Sequence, residues 1–210
     1  MSRRNSWMFV PGQSQKMVTK SLTLAVDVIM LDLEDSVVPA QKAAARALVG
    51  QAIVQARQPG APVRYVRING VGLHDCHPDL EAVVRPGLDG IVVPKSESID
   101  QVRWLEGVLT QLESSRNMRH GTVRLMLAIE SPHALIFSHA LALSSPRVSG
   151  LMFGAEDFSR ALNLPTVRRG PARDLVYARS QIVVSAAAAG VASVDGVWPD
   201  LDDPAGLEQD

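Results

Sequence analysis

Seven short, mostly apolar runs constrain this chain more than any other feature: WMFV (7–10), DVIMLDL (27–33), VRYVRI (63–68), DGIVVP (89–94), VRLMLAI (123–129), GLMFG (150–154) and ASVDGVW (192–198). Runs of this length without regular polar alternation read as strands buried on both faces, the condition of a parallel sheet. Parallel neighbours cannot be joined by a tight turn, because the chain must return to the starting end of the sheet through a crossover. The intervals supply it: 14–25, 39–57, 98–115, 132–143 and 172–189 are rich in helix formers, and 74–86 reads as a shorter helix after a loop. The last long stretch, ARDLVYARSQIVVSAAAA, is Ala-rich and stops at Gly190, where a left-handed C-terminal cap is cheap. The repeating unit is therefore βα, either doubly wound or closed as a TIM-type (β/α)8 barrel.

Polar residues follow almost every strand, which favours the barrel. They are Asp32, Glu34 and Asp35 after the second run, Arg67 and Asn69 after the third, Lys95 after the fourth, Glu130 after the fifth and Asp157 after the sixth. A barrel gathers such residues on one C-terminal rim, whereas an open sheet focuses function at a switch point. Only seven strands are visible, so the eighth is expected to be missing. With 210 residues, 46% of them hydrophobic, residues 1–210 read as a single domain. A formal net charge of −1 provides no broad basic field, so nucleic acid is not an expected partner. The start, MSRRNSWMFVPG, lacks the apolar core of a secretory signal, and no apolar run approaches the roughly 20 residues that span a bilayer. The expectation is a cytoplasmic protein without a membrane partner; its one cysteine, Cys76, cannot form an intrachain disulfide.

Glu130 in LMLAIES and Asp157 in LMFGAED are candidate metal ligands, since hard divalent cations take carboxylate oxygens and keep waters beside them. Each could equally cap the helix that follows, with Ser131 and Pro132 as helix-start signals. Arg67 in YVRING sits beside Tyr65, Val66 and Ile68, where a guanidinium is costly unless it faces an anion. That anion could be a substrate carboxylate or thioester oxygen, or one of the LDLED acids. Asp32, Glu34 and Asp35 could orient metal waters, accept a proton, or neutralise Arg67. Lys95 in VVPKSES reads as an ion-pair partner or anion contact rather than a Schiff-base lysine. The run His74, Asp75, Cys76, His77 has no second ligand pair at zinc-site spacing and reads as an exposed loop. No phosphate-binding loop, nucleophile elbow or dinucleotide fingerprint is present.

Taken together, FVPG with Lys16, Met17 and Lys20, DVIMLDLEDSVVPAQKAAAR, VRIN, GIVVPK, AIES, FGAEDF, YARSQIVVSAAAAGV and VDGVWPDLDDPAGL resemble the citrate lyase β-subunit (CitE-like) family of the HpcH/HpaI aldolase superfamily. The motifs recur in family order across about residues 4 to 207. The resemblance implies a (β/α)8 barrel assembled as a homotrimer or hexamer. It also implies a Mg2+-dependent lyase that cleaves or forms a carbon–carbon bond in citryl-, malyl- or citramalyl-type thioesters of coenzyme A or an acyl-carrier protein, with a small oxo acid as the other partner. Carried over by motif, Glu130 and Asp157 bind the metal, Arg67 and Glu130 contact substrate, and Phe9, Lys16 and Lys20 contact the acyl-CoA. Backbone N–H groups around Gly154, Ala155 and Glu156 would complete an anion pocket, with Asp32, Glu34, Asp35 and Lys95 in support.

One departure stands out. Family members continue past the DGV strand with an eighth strand bearing an I-H-P motif and a C-terminal helical segment that covers a neighbouring subunit's active site and can supply a catalytic acid. Neither is found in this sequence, so that acid has no assigned residue. A class II pyruvate-type aldolase acting on free hydroxy acids, and a non-catalytic binding or scaffold subunit, are the alternative readings.

Overall fold

The inner apolar runs become strands because each lies between parallel neighbours with most of its side chains out of water, whereas β1 (Trp7–Pro11) and β7 (Ala192–Val194), at the two ends of the strand order, are only partly buried. The computed structural model describes residues 5–164, 173–198, 200 and 202–209, which divide between two compact units. The first comprises residues 1–94 and 104–125, the second residues 95–103 and 126–210.

In the first unit β1 (Trp7–Pro11), β2 (Val28–Asp32), β3 (Val63–Arg67) and β4 (Gly90–Val93) lie side by side in sequence order, all parallel. The first residues of β5 (Arg124–Ile129) follow, with the Arg124 N–H donating to the Asp89 carbonyl at 3.0 Å. The crossovers are α1 (Gln15–Ser21), α2 (Lys42–Ile53), α3 (Cys76–Val83) and most of α4 (Ile99–Ser115). α1 starts at Ser14, whose hydroxyl accepts the Met17 N–H, and α2 is led in by a 3-10 turn beginning at Pro39. Every residue of β2 is buried, and parallel registry sets Phe9, Met30 and Tyr65 in one row and Pro11, Asp32 and Arg67 two rows on, facing the same side of the sheet. Adjacent parallel strands in register point matched side chains the same way, so this registry delivers Asp32 and Arg67 to each other.

The second unit holds the rest of β5, then α5 (Pro132–Ile136), α6 (Ser138–Ala142), β6 (Val148–Phe153), α7 (Ala155–Ala161), α8 (Val176–Ala189), β7 (Ala192–Val194) and α9 (Pro204–Gln209). β6 and β7 pair in parallel from Gly150–Ala192 to Met152–Val194. The buried Ser138 hydroxyl donates to Ser185 Oγ at 2.8 Å and joins α6 to α8.

The strand order contains no switch point, which sets aside the doubly wound alternative; a βα repeat in sequence order is the TIM-type class, with seven strands among the described residues. Two elements differ from expectation. The helix expected over 132–143 is broken at Phe137, which leaves helical geometry and stands its ring 4.8 Å from that of His133. The strand expected over 192–198 ends at Val194, because Asp195 turns to pair with Arg179 and accepts the Gly196 N–H at 2.7 Å. The helix expected over 172–189 runs from Val176, after a 3-10 turn, to Gly190 in the expected left-handed conformation; position 172 lies outside the described residues. No helix among the described residues is long and apolar enough to cross a membrane.

Candidate active site at the strand ends

The polar residues that follow the strands form one group in each unit. In the first unit the centre is Asp32, 0% exposed at the end of β2. Arg67, its registry partner on β3, grips it through two hydrogen bonds, Nε to Oδ1 at 2.6 Å and Nη2 to Oδ2 at 2.9 Å. The third guanidinium nitrogen lies 3.0 Å from Glu34 Oε2 and 3.7 Å from Asp35 Oδ2, and the Phe9 ring sits beneath the guanidinium carbon at 4.6 Å. Asp32 also accepts the backbone N–H groups of Glu34 and Ser36, each at 3.0 Å. Burial alone would raise its pKa; the Arg67 hydrogen bonds and charge, with Ser36 and Glu34, overcome that and hold the carboxyl below its ordinary range. Burial likewise opposes the Arg67 cation, and Asp32, Glu34 and Asp35 outweigh it, so the guanidinium holds its proton more firmly than a free one. Of the two partners left open for Arg67, the LDLED acids are therefore in place.

A second network fixes the loops that carry this cluster. Lys42 Nζ donates to the carbonyls of Leu33 and Glu34 at 2.9 and 3.0 Å and to Asn69 Oδ1 at 2.6 Å. Asn69 donates to Asp79 Oδ2 from its backbone and side-chain nitrogens, at 2.8 and 2.6 Å, while Arg46 binds Asp79 Oδ1 at 2.7 Å and also pairs with Asp75. Burial raises the Asp79 pKa against these donors. Cys76, expected in an exposed loop, is instead 1% exposed at the start of α3. Burial first, then the Asp79 charge, push its thiol up to about 12. His74 and His77 are exposed as expected.

In the second unit Glu130 directly follows β5 and is 7% exposed. Its Oε2 accepts the Lys95 backbone N–H at 2.8 Å. The cap of α5 is Ser131, whose hydroxyl accepts the Ala134 N–H at 3.0 Å with Pro132 in the first turn, so Glu130 is not spent on capping. The Glu130 side chain lies against Gly154, where a methyl group would sit 2.2 Å from Cγ and 2.8 Å from Oε1; only glycine fits. Gly154 precedes α7, and Asp157 lies in the first turn of that helix, paired with Arg160 three residues on. The acids therefore come from consecutive strand ends, Asp157 within one helical turn of the glycine that Glu130 touches. Of the three N–H groups expected to form an anion pocket, that of Gly154 is already donated to the Ile129 carbonyl at 3.0 Å. Ala155 is buried and Glu156 exposed.

Lys16 and Lys20 are exposed, four residues apart on α1. No cluster of three or more His, Cys, Asp or Glu side chains able to hold a metal occurs among the described residues. Two hard carboxylates nevertheless suit Mg2+, which is commonly held by one or two of them with its remaining positions filled by water or substrate oxygens. Sequence reasoning missed Arg64, Arg160, Arg179 and the Lys42–Asn69–Asp79–Arg46 network. Spacing could have found Arg160, at i+3 from Asp157 on one helix, whereas Lys42 and Arg46 bind side-chain partners 27 to 33 positions away, in contacts no local pattern signals.

A parallel βα chain with carboxylates and a bound arginine at its strand C-termini has the layout of a TIM-type enzyme, whose chemistry sits at that rim. It matches the HpcH/HpaI aldolase/citrate lyase family over residues 5–210, and the chain belongs to that family. The citrate lyase subunit beta of Leuconostoc mesenteroides subsp. cremoris is 36% identical over 204 residues, which cover 97% of this chain and 67% of that protein. The L-malyl-CoA/beta-methylmalyl-CoA lyase of Cereibacter sphaeroides (strain ATCC 17029 / ATH 2.4.9) is 30% identical over 218 residues, covering 95% of this chain and 68% of the relative. Among solved structures, protein CitE from Mycobacterium tuberculosis in complex with magnesium, acetoacetate and coenzyme A superposes with a TM-score of 0.79 at 29% identity, covering 99% of this chain and 71% of that one.

Proposed function

We propose that this chain is a Mg2+-dependent carbon–carbon lyase that cleaves a 3-hydroxyacyl thioester of the citryl-, malyl- or citramalyl-CoA type into an oxo acid and an acyl thioester. The observation that carries the reading is Glu130: a buried carboxylate relieved of capping by Ser131, steadied by one backbone N–H and pressed against a glycine that opens onto α7 and Asp157. Relatives named as citrate lyase β subunits and malyl-CoA lyases, and a structural neighbour holding magnesium, acetoacetate and coenzyme A, support it.

In the cleavage direction the 3-hydroxyl loses its proton, its oxygen becomes the carbonyl of the oxo acid, and the electrons of the breaking C–C bond pass to the thioester α-carbon as an enolate, which then takes up a proton. Glu130 and Asp157 would hold Mg2+, which when bound supplies a Lewis acid for the oxo-acid oxygens. Arg67, kept charged and oriented by Asp32 and Glu34, is assigned to an anionic oxygen of the substrate. Phe9 supports the Arg67 guanidinium from below, and the exposed Lys16 and Lys20 suit the phosphates of coenzyme A. A single catalytic domain over residues 1–210 and a trimeric or hexameric assembly belong to the same reading. One cooperative unfolding transition and sedimentation velocity check them.

The test is Mg2+-dependent cleavage of citryl-, malyl- and citramalyl-CoA, run beside Glu130→Ala and Lys16→Ala/Lys20→Ala. Expected are metal-dependent turnover of one thioester, its loss in Glu130→Ala, and a raised KM for the thioester in the double lysine variant. Turnover of free hydroxy acids alone would identify an aldolase instead, and ligand-induced thermal stabilisation without cleavage of any thioester would identify a binding subunit.

A further inference from the structure

Three described residues other than glycine have positive φ: Asn117, Asn163 and Lys95. Asparagine tolerates the left-handed region because its short polar side chain bonds locally; lysine has no such compensation. Lys95, at φ +49, follows Pro94 just beyond β4 and is exposed. Strained backbone persists where the surroundings hold it, as they do here. The Lys95 N–H donates to Glu130 Oε2 at 2.8 Å, and the next N–H, of Ser96, reaches the Ala128 carbonyl on β5 at 3.4 Å.

The geometry points to Lys95 as a positioning residue that acts through its backbone: its left-handed conformation aims one N–H at Glu130 Oε2 and so fixes the rotation of that carboxylate for Mg2+. The inference rests on Glu130 being a metal ligand. Between the Lys95 N–H on one oxygen and the close approach of Gly154 to Cγ and Oε1, the carboxylate is confined before any cation arrives. Groups that hold ligands in this way contribute to metal affinity without touching the ion.

The experiment ranks substitutions by their tolerance of positive φ rather than by charge. Mg2+ affinity is measured by isothermal titration calorimetry for Lys95→Gly, Lys95→Asn and Lys95→Val, with folding checked by circular dichroism. Gly and Asn should keep the affinity within about two-fold, while the β-branched Val should weaken it by about ten-fold or more. In turnover assays the Val variant should need more Mg2+ and recover most of its kcat at saturating metal. Equal losses in all three would assign the effect to the lysine side chain, and an unchanged Val variant would mean the N–H does not matter; either overturns the inference. Should Lys95→Val fail to fold, replacing the residue-95 amide by an ester removes only the donor, and about the same ten-fold loss is expected. Mg2+ binding that survives Glu130→Gln would instead overturn the ligand assignment, and the inference with it.

Discussion

β3 carries two arginines three residues apart, and they do opposite work. Arg64, near the strand's N-terminal end, is 1% exposed and turns its guanidinium onto the last carbonyls around α2, with Nη1 at 2.7 Å from Ile53 O and 2.8 Å from Gln55 O. Those carbonyls lie at the negative end of a helix and have no partner within it, so Arg64 is a cap supplied from a neighbouring strand. Arg67, at the C-terminal end, meets carboxylates instead. Odd spacing along a strand puts the two side chains on opposite faces. Burial, with the neighbouring Arg57 charge, lowers the Arg64 pKa against Asp89, whereas the acids around Arg67 raise its own. In TIM-type proteins the N-terminal strand ends generally serve stability and the C-terminal ends chemistry, and β3 carries one arginine at each end.

The strongest attempt to break this contrast is Arg67→Met, which strands buried acids without their cation. It should cost about 3–5 kcal/mol in urea unfolding and lower kcat/KM by about 10²–10³-fold in the lyase assay. Asp32→Asn should cost somewhat less, and its effect should depend on pH. Because the folded pKa of Asp32 lies below its unfolded value, the pairing contributes fully above the ordinary carboxylate range and is lost as pH falls through the folded value. The stability gap between wild type and Asp32→Asn should thus be widest near neutrality and close below about pH 4.

Arg64→Met should destabilise by about 2 kcal/mol through lost charge-assisted hydrogen bonds while leaving kcat/KM per folded molecule unchanged. A folded but inactive Arg64→Met would end the division of labour. Smallest is Arg57→Ala: Arg57 pairs with Asp89, which also accepts the Arg64 N–H, but both partners of that pair are about one-third exposed. Its unfolding midpoint should shift by no more than about 0.5 kcal/mol equivalent.

How far the sequence foretold this arrangement depends on the range of each interaction. Strands and most helices were legible because hydrophobic runs and helix formers act locally. VRYVRI places Arg64 near the start of the strand and Arg67 near its end, yet nothing in the string says that a helix terminus waits beside Arg64. The Asp32–Arg67 pair depends on parallel registry across 35 positions, and the Lys95 N–H meets Glu130 at the same separation through the fold rather than through any local pattern. Ser131 was readable as a helix-start signal, but only the hydrogen bond to Ala134 decides that Glu130 is free of that task. The break at Phe137 had no signal in a stretch of good helix formers.

The burial of Cys76 turns the chain's one thiol into an internal clock. With its pKa pushed up to about 12, it stays protonated and shielded at pH 8, so iodoacetamide can reach it only when the start of α3 opens. Alkylation rates followed by mass spectrometry, divided by the rate for the unfolded chain, give the opening free energy of that segment directly. Since α3 also carries Asp79, which anchors Asn69 in the loop after β3, the same rates measured in Asn69→Ala would record how far that loop and its supporting helix loosen together.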